Sequence, residues 1–372
     1  MRDKIRQAKR WVVKVGSSLV TNDGRGLDLA AIETWAEQLV AMRAQGIQVV
    51  LVSSGAVAEG VSRLGLSKRP TQVNLQQAAA AVGQMGLIQA YESSFLRFNR
   101  PTAQILLDHD DVASRERYLN ARGVLQRLIE MGVVPIVNEN DTVVTDEIRF
   151  GDNDTLAALV ANLIDAELLV ILTDKDGLFS ANPDVDASAR LISEAQTADS
   201  SLDKLVGESN SGLGRGGMIT KLQAARLAAS SGCSTLIAGG RNTNILLDLA
   251  QGQAKGTLLA ANQKPMAARK QWLAGQLQVR GDLILDAGAV DVLIKHGRSL
   301  LPVGISSATG DFQRGDLVSC KDINGVEIAR GLVNYSYADT IRIQGCSTGS
   351  IKDILGYKVD AELIHRDNMV IV

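Results

Sequence analysis

Gly212-Leu213-Gly214-Arg215-Gly216-Gly217-Met218-Ile219-Thr220-Lys221 places four glycines within six residues, directly before an apolar, Ala-rich segment, Met218 to Ala229, that reads as a helix. Glycines let the backbone approach a bulky anion, and a helix N-terminus presents unpaired N–H groups to it. Lys221 falls about one turn into that helix, within reach of the same anion. The stretch therefore predicts a phosphate cradle with its own cation; the plainer reading is a flexible linker. Gly212, Gly214 and Gly217 also spell the dinucleotide fingerprint, but the preceding residues Leu202 to Ser211 are polar rather than a buried strand. No acidic residue follows near Gly239 to Arg241 either, as that fingerprint requires. The P-loop pattern fails because Met218 stands where lysine is required.

Upstream, apolar runs alternate with helical stretches. Trp11 to Val15 reads as a buried strand ended by Gly16, and Leu29 to Gln45 as an amphipathic helix. Ile47 to Ser53 is a second strand, turned by Ser54-Gly55-Ala56 into an Ala-rich helix. Leu75 to Phe98 looks helical, Thr102 to Leu107 a strand, Leu119 to Met131 a helix and Val133 to Val137 a strand. A helix from Thr155 to Ile164 and strands from Leu168 to Leu172 and Ser234 to Ala238 complete the series. This rhythm predicts an α/β fold, an open and mainly parallel sheet sandwiched by helices.

Polar residues interrupt the rhythm at element ends, where open parallel sheets place their ligands. Lys14 inside a β-branched run is unusual, since lysine is seldom buried unpaired. It is either a cation at the strand's C-terminal end or an edge residue that snorkels outward. Asn138-Glu139-Asn140-Asp141 follows one strand and Gly151-Asp152-Asn153-Asp154 precedes a helix. They could be caps and Asx-turns, or a site that holds an ammonium group and organises lysines. Ser53 and Ser54 read first as caps of the next helix. Thr173-Asp174 continues a strand into the loop where a nucleotide commonly rests.

Past Leu259 the pattern changes. Residues 263–278 read as a linker between a first domain of residues 1–262 and a second of residues 279–372. The second is a run of short strands with turn signals and one short helix near Ala287 to His296, which predicts a small β-barrel. From Arg280 to Val372 it carries ten Lys/Arg against twelve Asp/Glu with no basic stripe. RNA binding, which needs clustered cations, is therefore not expected of it.

The whole chain has 372 residues, 45% hydrophobic and 22% charged, with a net charge of -2. This suits a soluble protein of two domains without a polyanion partner. Cys233, Cys320 and Cys346 are far apart, as are His109, His296 and His365, so neither a disulfide framework nor a zinc site is supported. No apolar stretch approaches membrane-spanning length, and a cytoplasmic location is expected.

Taken together, the motifs resemble the glutamate 5-kinases, a branch of the amino acid kinase family that carries a C-terminal PUA domain. The resemblance runs in order along nearly the whole chain: V-V-K-V-G-S-S at Val12 to Ser18, V-S-S-G-A at Val52 to Ala56, Q-x-L-L at Gln104 to Leu107 and R-x-L-N-A-R at Arg117 to Arg122. It continues through V-N-E-N-D at Val137 to Asp141, G-D-N-D at Gly151 to Asp154, L-T-D-x-x-G-L at Leu172 to Leu178 and S-G-L-G-x-G-G-M-x-T-K at Ser211 to Lys221. It ends with S-L-L-P-x-G-I at Ser299 to Ile305 and I-L-G-Y at Ile354 to Tyr357. G-D-N-D with the PUA tail separates it from aspartokinase, acetylglutamate kinase and uridylate kinase.

The resemblance implies ATP-dependent phosphorylation of the L-glutamate side-chain carboxylate, with Mg²⁺, as the first step of proline biosynthesis. Lys14 and Lys221 would contact the phosphates, with Asp154 orienting both. Ser54, Asn138, Asp141, Asp152 and Asn153 would hold glutamate. Thr173, Asp174, Arg215, Gly216, Gly217, Met218, Ile219, Thr220 and Lys221 would hold ATP. Arg215 departs from the threonine common in the family, which leaves open whether it adds a cation or faces solvent. The Mg²⁺ ligands stay open among Asp152, Asp154 and Asp174. Feedback inhibition by proline, a homo-oligomer and a partnership with glutamyl phosphate reductase are implied as well. Competing expectations are a family member with another acceptor, an RNA-binding protein using the β-domain, and a nicotinamide-dependent dehydrogenase resting on the glycine spacing alone.

Overall fold

The computed structural model describes residues 2–21, 26–108, 111, 115–143, 153–207, 217–262 and 279–371. The proposed linker and most of the glycine stretch lie outside them. The chain divides into two compact units.

In the first unit, a short helix α1 (Asp3–Gln7) leads into β1 (Arg10–Val15), α2 (Ser17–Val20) and α3 (Leu29–Ala44). Then come β2 (Gln48–Ser53), α4 (Ala56–Arg63), α5 (Val73–Leu96), β3 (Thr102–Leu107), α6 (Arg115–Glu130, in this unit from Asn120 onward) and β4 (Val134–Glu139). The unit continues with α7 (Asn153–Leu163), β5 (Leu168–Thr173), β6 (Glu194–Gln196), α8 (Ser201–Gly207), α9 (Met218–Ser230), β7 (Ser234–Gly239), α10 (Ile245–Ala250) and β8 (Thr257–Ala260).

The eight strands form one sheet in the order β3-β4-β2-β1-β5-β7-β8-β6. The first six run parallel; β8 runs antiparallel to β7, and β6 is parallel to β8. The mainly parallel α/β sheet is therefore the one the sequence rhythm predicts. The sequence did not signal β6 and β8, whose three and four residues are too short to show a period.

Strand β1 lies between β2 and β5, so the chain winds one way from β1 to β2 and the other way to β5. Both faces of β1 are covered, which is why W-V-V-K-V reads as a continuous apolar run rather than an alternating one. Successive side chains still point to opposite faces. Trp11, Val13 and Val15 join a core with Ile32, Trp35 and Leu39 of α3, Leu87, Tyr91 and Phe95 of α5, and Ile245 and Leu249 of α10. Lys14 therefore takes the other face, where α7 packs on β1 and against α9. The edge-strand reading of Lys14 is overturned: it sits in a central strand and is buried.

The turn after β2 depends on two glycine features. Gly55 caps α4 with φ of 108°, the left-handed region, and a Cβ there would lie 3.0 Å from Thr21 Cγ2. One turn further on, α4 and α5 touch backbone to backbone. A Cβ at Gly60 would lie 1.7 Å from the Ala79 carbonyl oxygen, and one at Gly83 would lie 1.9 Å from that of Ala56. This contact fixes α5 over the ends of β2 and β4.

Strand β4 extends to Glu139, so Asn138 and Glu139 belong to the strand rather than following it. Asn138 pairs in register with Leu106, and Glu139 with Leu107. The polar cluster is thus partly ladder, partly turn.

The second unit contains β9 (Gly281–Leu285), α11 (Ala287–His296), β10 (Ile305–Gly310), β11 (Leu317–Lys321), β12 (Glu327–Leu332), α12 (Tyr337–Ile343), α13 (Ile351–Leu355) and β13 (Met369–Ile371). Its five strands form a separate sheet in the order β10-β9-β11-β12-β13, antiparallel except for β9 with β11. Phe312, Tyr335, Leu283 and Leu363 lie in its own core. Helices α12 and α13 correct the expectation of a single helix. At seven and five residues they are too short to show an amphipathic period.

Gly60→Ala tests the close approach of α4 and α5. The substitution gains at most about 1 kcal/mol of helix propensity, whereas overpacking costs about 1–3 kcal/mol or more. Thermal unfolding is expected to shift to lower temperature; an unchanged or raised Tm would refute the contact.

Candidate active site

The carboxyl ends of β1, β2, β4, β5 and β7 lie along one edge of the sheet, on both sides of the point where the winding reverses. Ligands of open α/β sheets bind in the crevice outside such a point. Lys14 is the fifth of six residues in β1, Ser53 the last of β2, and Thr173 the last of β5. Helix α7 brings Asn153 and Asp154 to this edge in its first turn, and α9 brings Thr220 and Lys221 in its own.

Asp154 is the centre of this arrangement. It is fully buried, and its two oxygens face two ammonium groups: Lys14 Nζ lies 2.5 Å from Oδ1 and Lys221 Nζ 3.1 Å from Oδ2. Thr220 Oγ1 donates to Oδ2 at 3.1 Å and also to the Gly217 carbonyl at 2.8 Å. Burial disfavours the ionised carboxyl. Attraction and hydrogen bonds from both lysines outweigh it and hold Asp154 below its ordinary value. The position in the first turn of a helix adds to this preference for negative charge. The far end of α7 is held as well. Arg122, in the R-x-L-N-A-R stretch, donates to the Leu163 carbonyl and pairs with Asp165 at 2.5 Å. The sequence placed Arg122 only within that motif and gave it no role as a clamp on the helix that carries Asp154.

A second cluster adjoins the first. Asn153 Nδ2 lies within hydrogen-bond distance of the Ser53 carbonyl (2.9 Å), Ser54 Oγ (3.0 Å) and Asn138 Oδ1 (2.8 Å). Asn138 in turn donates from Nδ2 to Gln84 Oε1 of α5 at 2.7 Å. Ser53 is tied to Tyr91, seven residues along the same helix, at 3.0 Å. Burial pushes the Tyr91 hydroxyl above its ordinary value, against the bond to Ser53, which lowers it. Gln84 and Tyr91 carried no signal in the sequence, where α5 reads as an Ala-rich packing helix.

Of the other predicted positions, Asp141 is half-buried in the turn two residues beyond β4. Asp174 is exposed and accepts from Thr173 Oγ1 at 2.9 Å. Gly217 is the extended N-cap of α9, with no side chain capping it, and Met218 and Ile219 open the helix. Among the described residues, a Cβ at Gly217 would meet no atom within 4 Å. A helix start without a side-chain cap has unpaired N–H groups to offer, one turn from the buried Lys221. Asp152, Arg215 and Gly216 lie outside the described residues. Among the described residues no group of three or more His, Cys, Asp or Glu gathers as a metal site.

A lysine from a central strand and a lysine from a helix start are held on one carboxylate beside an amide cluster. The model of the amino acid kinase family matches residues 9–239, which hold seven of the eight strands of this sheet and its site. The chain belongs to the amino acid kinase family. The PUA domain model matches residues 281–355. The curated relatives include glutamate 5-kinases of Stutzerimonas stutzeri at 60% identity and Burkholderia ambifaria at 59%, each aligned over 372 residues and covering all of both chains. Among solved structures, the UMP kinase from Bacillus anthracis aligns with 69% of this chain and 97% of its own, at 15% identity and a TM-score of 0.48. Among the described residues, no helix of this family member is long and apolar enough to cross a membrane.

Asp154→Asn leaves two buried ammonium groups without their shared carboxylate. Removing one partner of a buried ion pair costs about 3–5 kcal/mol, which chemical denaturation at neutral pH would read. The folded-state titration of Asp154 lies below its ordinary value of 3.8. Its contribution is therefore fully present above that value and is lost as pH falls through the lower, folded one. The stability gap between wild type and variant should stay constant above that range and narrow within it; equal stability at neutral pH would refute the pairing.

Proposed function

We propose that this chain transfers the γ-phosphoryl group of ATP to the side-chain carboxylate of L-glutamate, giving L-glutamyl 5-phosphate, the first step of proline biosynthesis. The observation that carries it is the convergence of Lys14 and Lys221 on Asp154, immediately beside the Asn153, Ser54 and Asn138 cluster. Full-length identity near 60% to glutamate 5-kinases supports the acceptor.

The chemistry asks little of the protein in proton transfer. A carboxylate acceptor is already ionised at neutral pH, so no general base is needed. The obstacle is electrostatic, because two anions must meet. Lys14 and Lys221 place positive charge at the transferring phosphoryl group and stabilise negative charge on its equatorial oxygens. Asp154 holds both ammonium groups in place before the substrates arrive, so that little reorganisation accompanies the reaction. The start of α9 presents its N–H groups to the nucleotide phosphates, and Thr173 and Asp174 border the nucleotide. Asn153, Ser54, Asn138 and Asp141 hold the amino acid, with the Asp141 carboxylate toward its ammonium group. Mg²⁺ bound to the phosphates would add Lewis-acid charge at the same oxygens. Asp152, Arg215 and Gly216 complete the proposed contacts.

The product is an acyl phosphate, which hydroxylamine traps as a hydroxamate. ATP- and glutamate-dependent hydroxamate is expected, and its absence would defeat the reading. A panel with aspartate and nucleoside monophosphates, with ADP release followed in parallel, separates other acceptors. Lys14→Ala and Lys221→Ala are each expected to lower kcat by roughly 10²-fold or more, the scale of losing one transition-state donor. Near-normal turnover in either variant would remove that lysine from the mechanism.

A further inference from the structure

Gln84 carries an amide half that the arrangement above leaves unused. Its Oε1 accepts from Asn138 Nδ2, whereas its Nε2 is buried and has no hydrogen-bond partner among the described residues. An unpaired donor is costly to bury, and such groups are rare in folded proteins.

The orientation of this amide is fixed by backbone groups. The Glu139 N–H can only donate, and it donates to Asn138 Oδ1 at 2.9 Å. Asn138 must therefore present its NH₂ to Gln84, which turns the Gln84 carbonyl toward Asn138. At the other end, the Ser53 carbonyl can only accept, so Asn153 presents its NH₂ to Ser53 and to Asn138 Oδ1. The three amides form a polarised relay, Asn153 to Asn138 to Gln84, that ends in two unpaired N–H bonds. The relay starts next to Asp154, where the lysines meet, and Gln84 lies two hydrogen bonds further along.

We propose that Gln84 determines amino-acid specificity: its Nε2 donates to an oxygen of the substrate's α-carboxylate. This rests on the kinase reading above, which places the side-chain carboxylate at the lysines and so the α-carbon end further along the relay. A pair of N–H donors repels an ammonium group and attracts a carboxylate. The position therefore distinguishes the two charged groups on the α-carbon.

The test compares L-glutamate with its α-amide in the hydroxamate assay, using wild type, Gln84→Glu and Gln84→Met. Gln84→Glu keeps the length and an acceptor for Asn138 but replaces the free donor with a charged acceptor. KM for glutamate is expected to rise about 10- to 100-fold, the scale of a hydrogen bond to a charged group, with KM for ATP unchanged. The α-amide, which can donate to the new carboxylate, should lose less, so that the preference for glutamate narrows by about 10-fold or more. Gln84→Met should narrow it in the same direction. A residue that only positions Asn138 would leave Gln84→Glu at the wild-type KM or weaken both amino acids alike, and either result overturns the proposal. If wild type yields no hydroxamate from glutamate, the kinase reading and this inference fall together. Hydroxamate from wild type with indifferent variants overturns the inference alone.

Discussion

A buried carboxylate between two ammonium groups is the constraint on which the rest of the structure depends. Asp154 is out of contact with water, and Lys14 and Lys221 are nearly so. Burying any one of these charges alone would cost several kcal/mol, so each is tolerable only where the others are. The central strand, the helix after the polar loop and the helix after the glycines must therefore assemble together. The set carries one net positive charge, which is offset further when an anionic ligand arrives. This makes the charge cluster a structural tie with positive charge to spare.

The helices around that tie act as its frame. Helix α7 carries Asn153 and Asp154 on adjacent residues and is gripped at its far end by Arg122. The lysine cluster and the amide cluster are thus both tied to one helix. Helix α5 supplies Tyr91 to Ser53 and Gln84 to Asn138, and its placement depends on the glycine contact with α4. Packing beside the crevice therefore bears on the placement of amides inside it. The hydrogen-bond directions are equally determined, because the Ser53 carbonyl and the Glu139 N–H, which fix the first two amides, each have only one role.

The second unit has its own sheet and core and a balanced charge. Its sequence lacks the clustered cations that phosphate-backbone recognition needs. The phosphoryl-transfer residues named above all belong to the first unit.

Local sequence determined a good deal of this protein. Apolar runs of strand length, glycine and serine at their ends, and Ala-rich helices between them specify a parallel α/β sheet, because each depends on interactions within a few residues. The unusual lysine in W-V-V-K-V marked a site for the same reason: its neighbours left no solvent for it. Tertiary structure alone decided which partner quenches that charge. Lys14, Asp154 and Lys221 meet only because the sheet reverses its winding beside β1 and because period-two alternation turns Lys14 toward α7 and α9. Gln84 was invisible for the same physical reason. On a long Ala-rich helix with four glutamines, one of them looks like solvent-facing filler, and only the tertiary fold brings the Gln84 amide to Asn138 of β4.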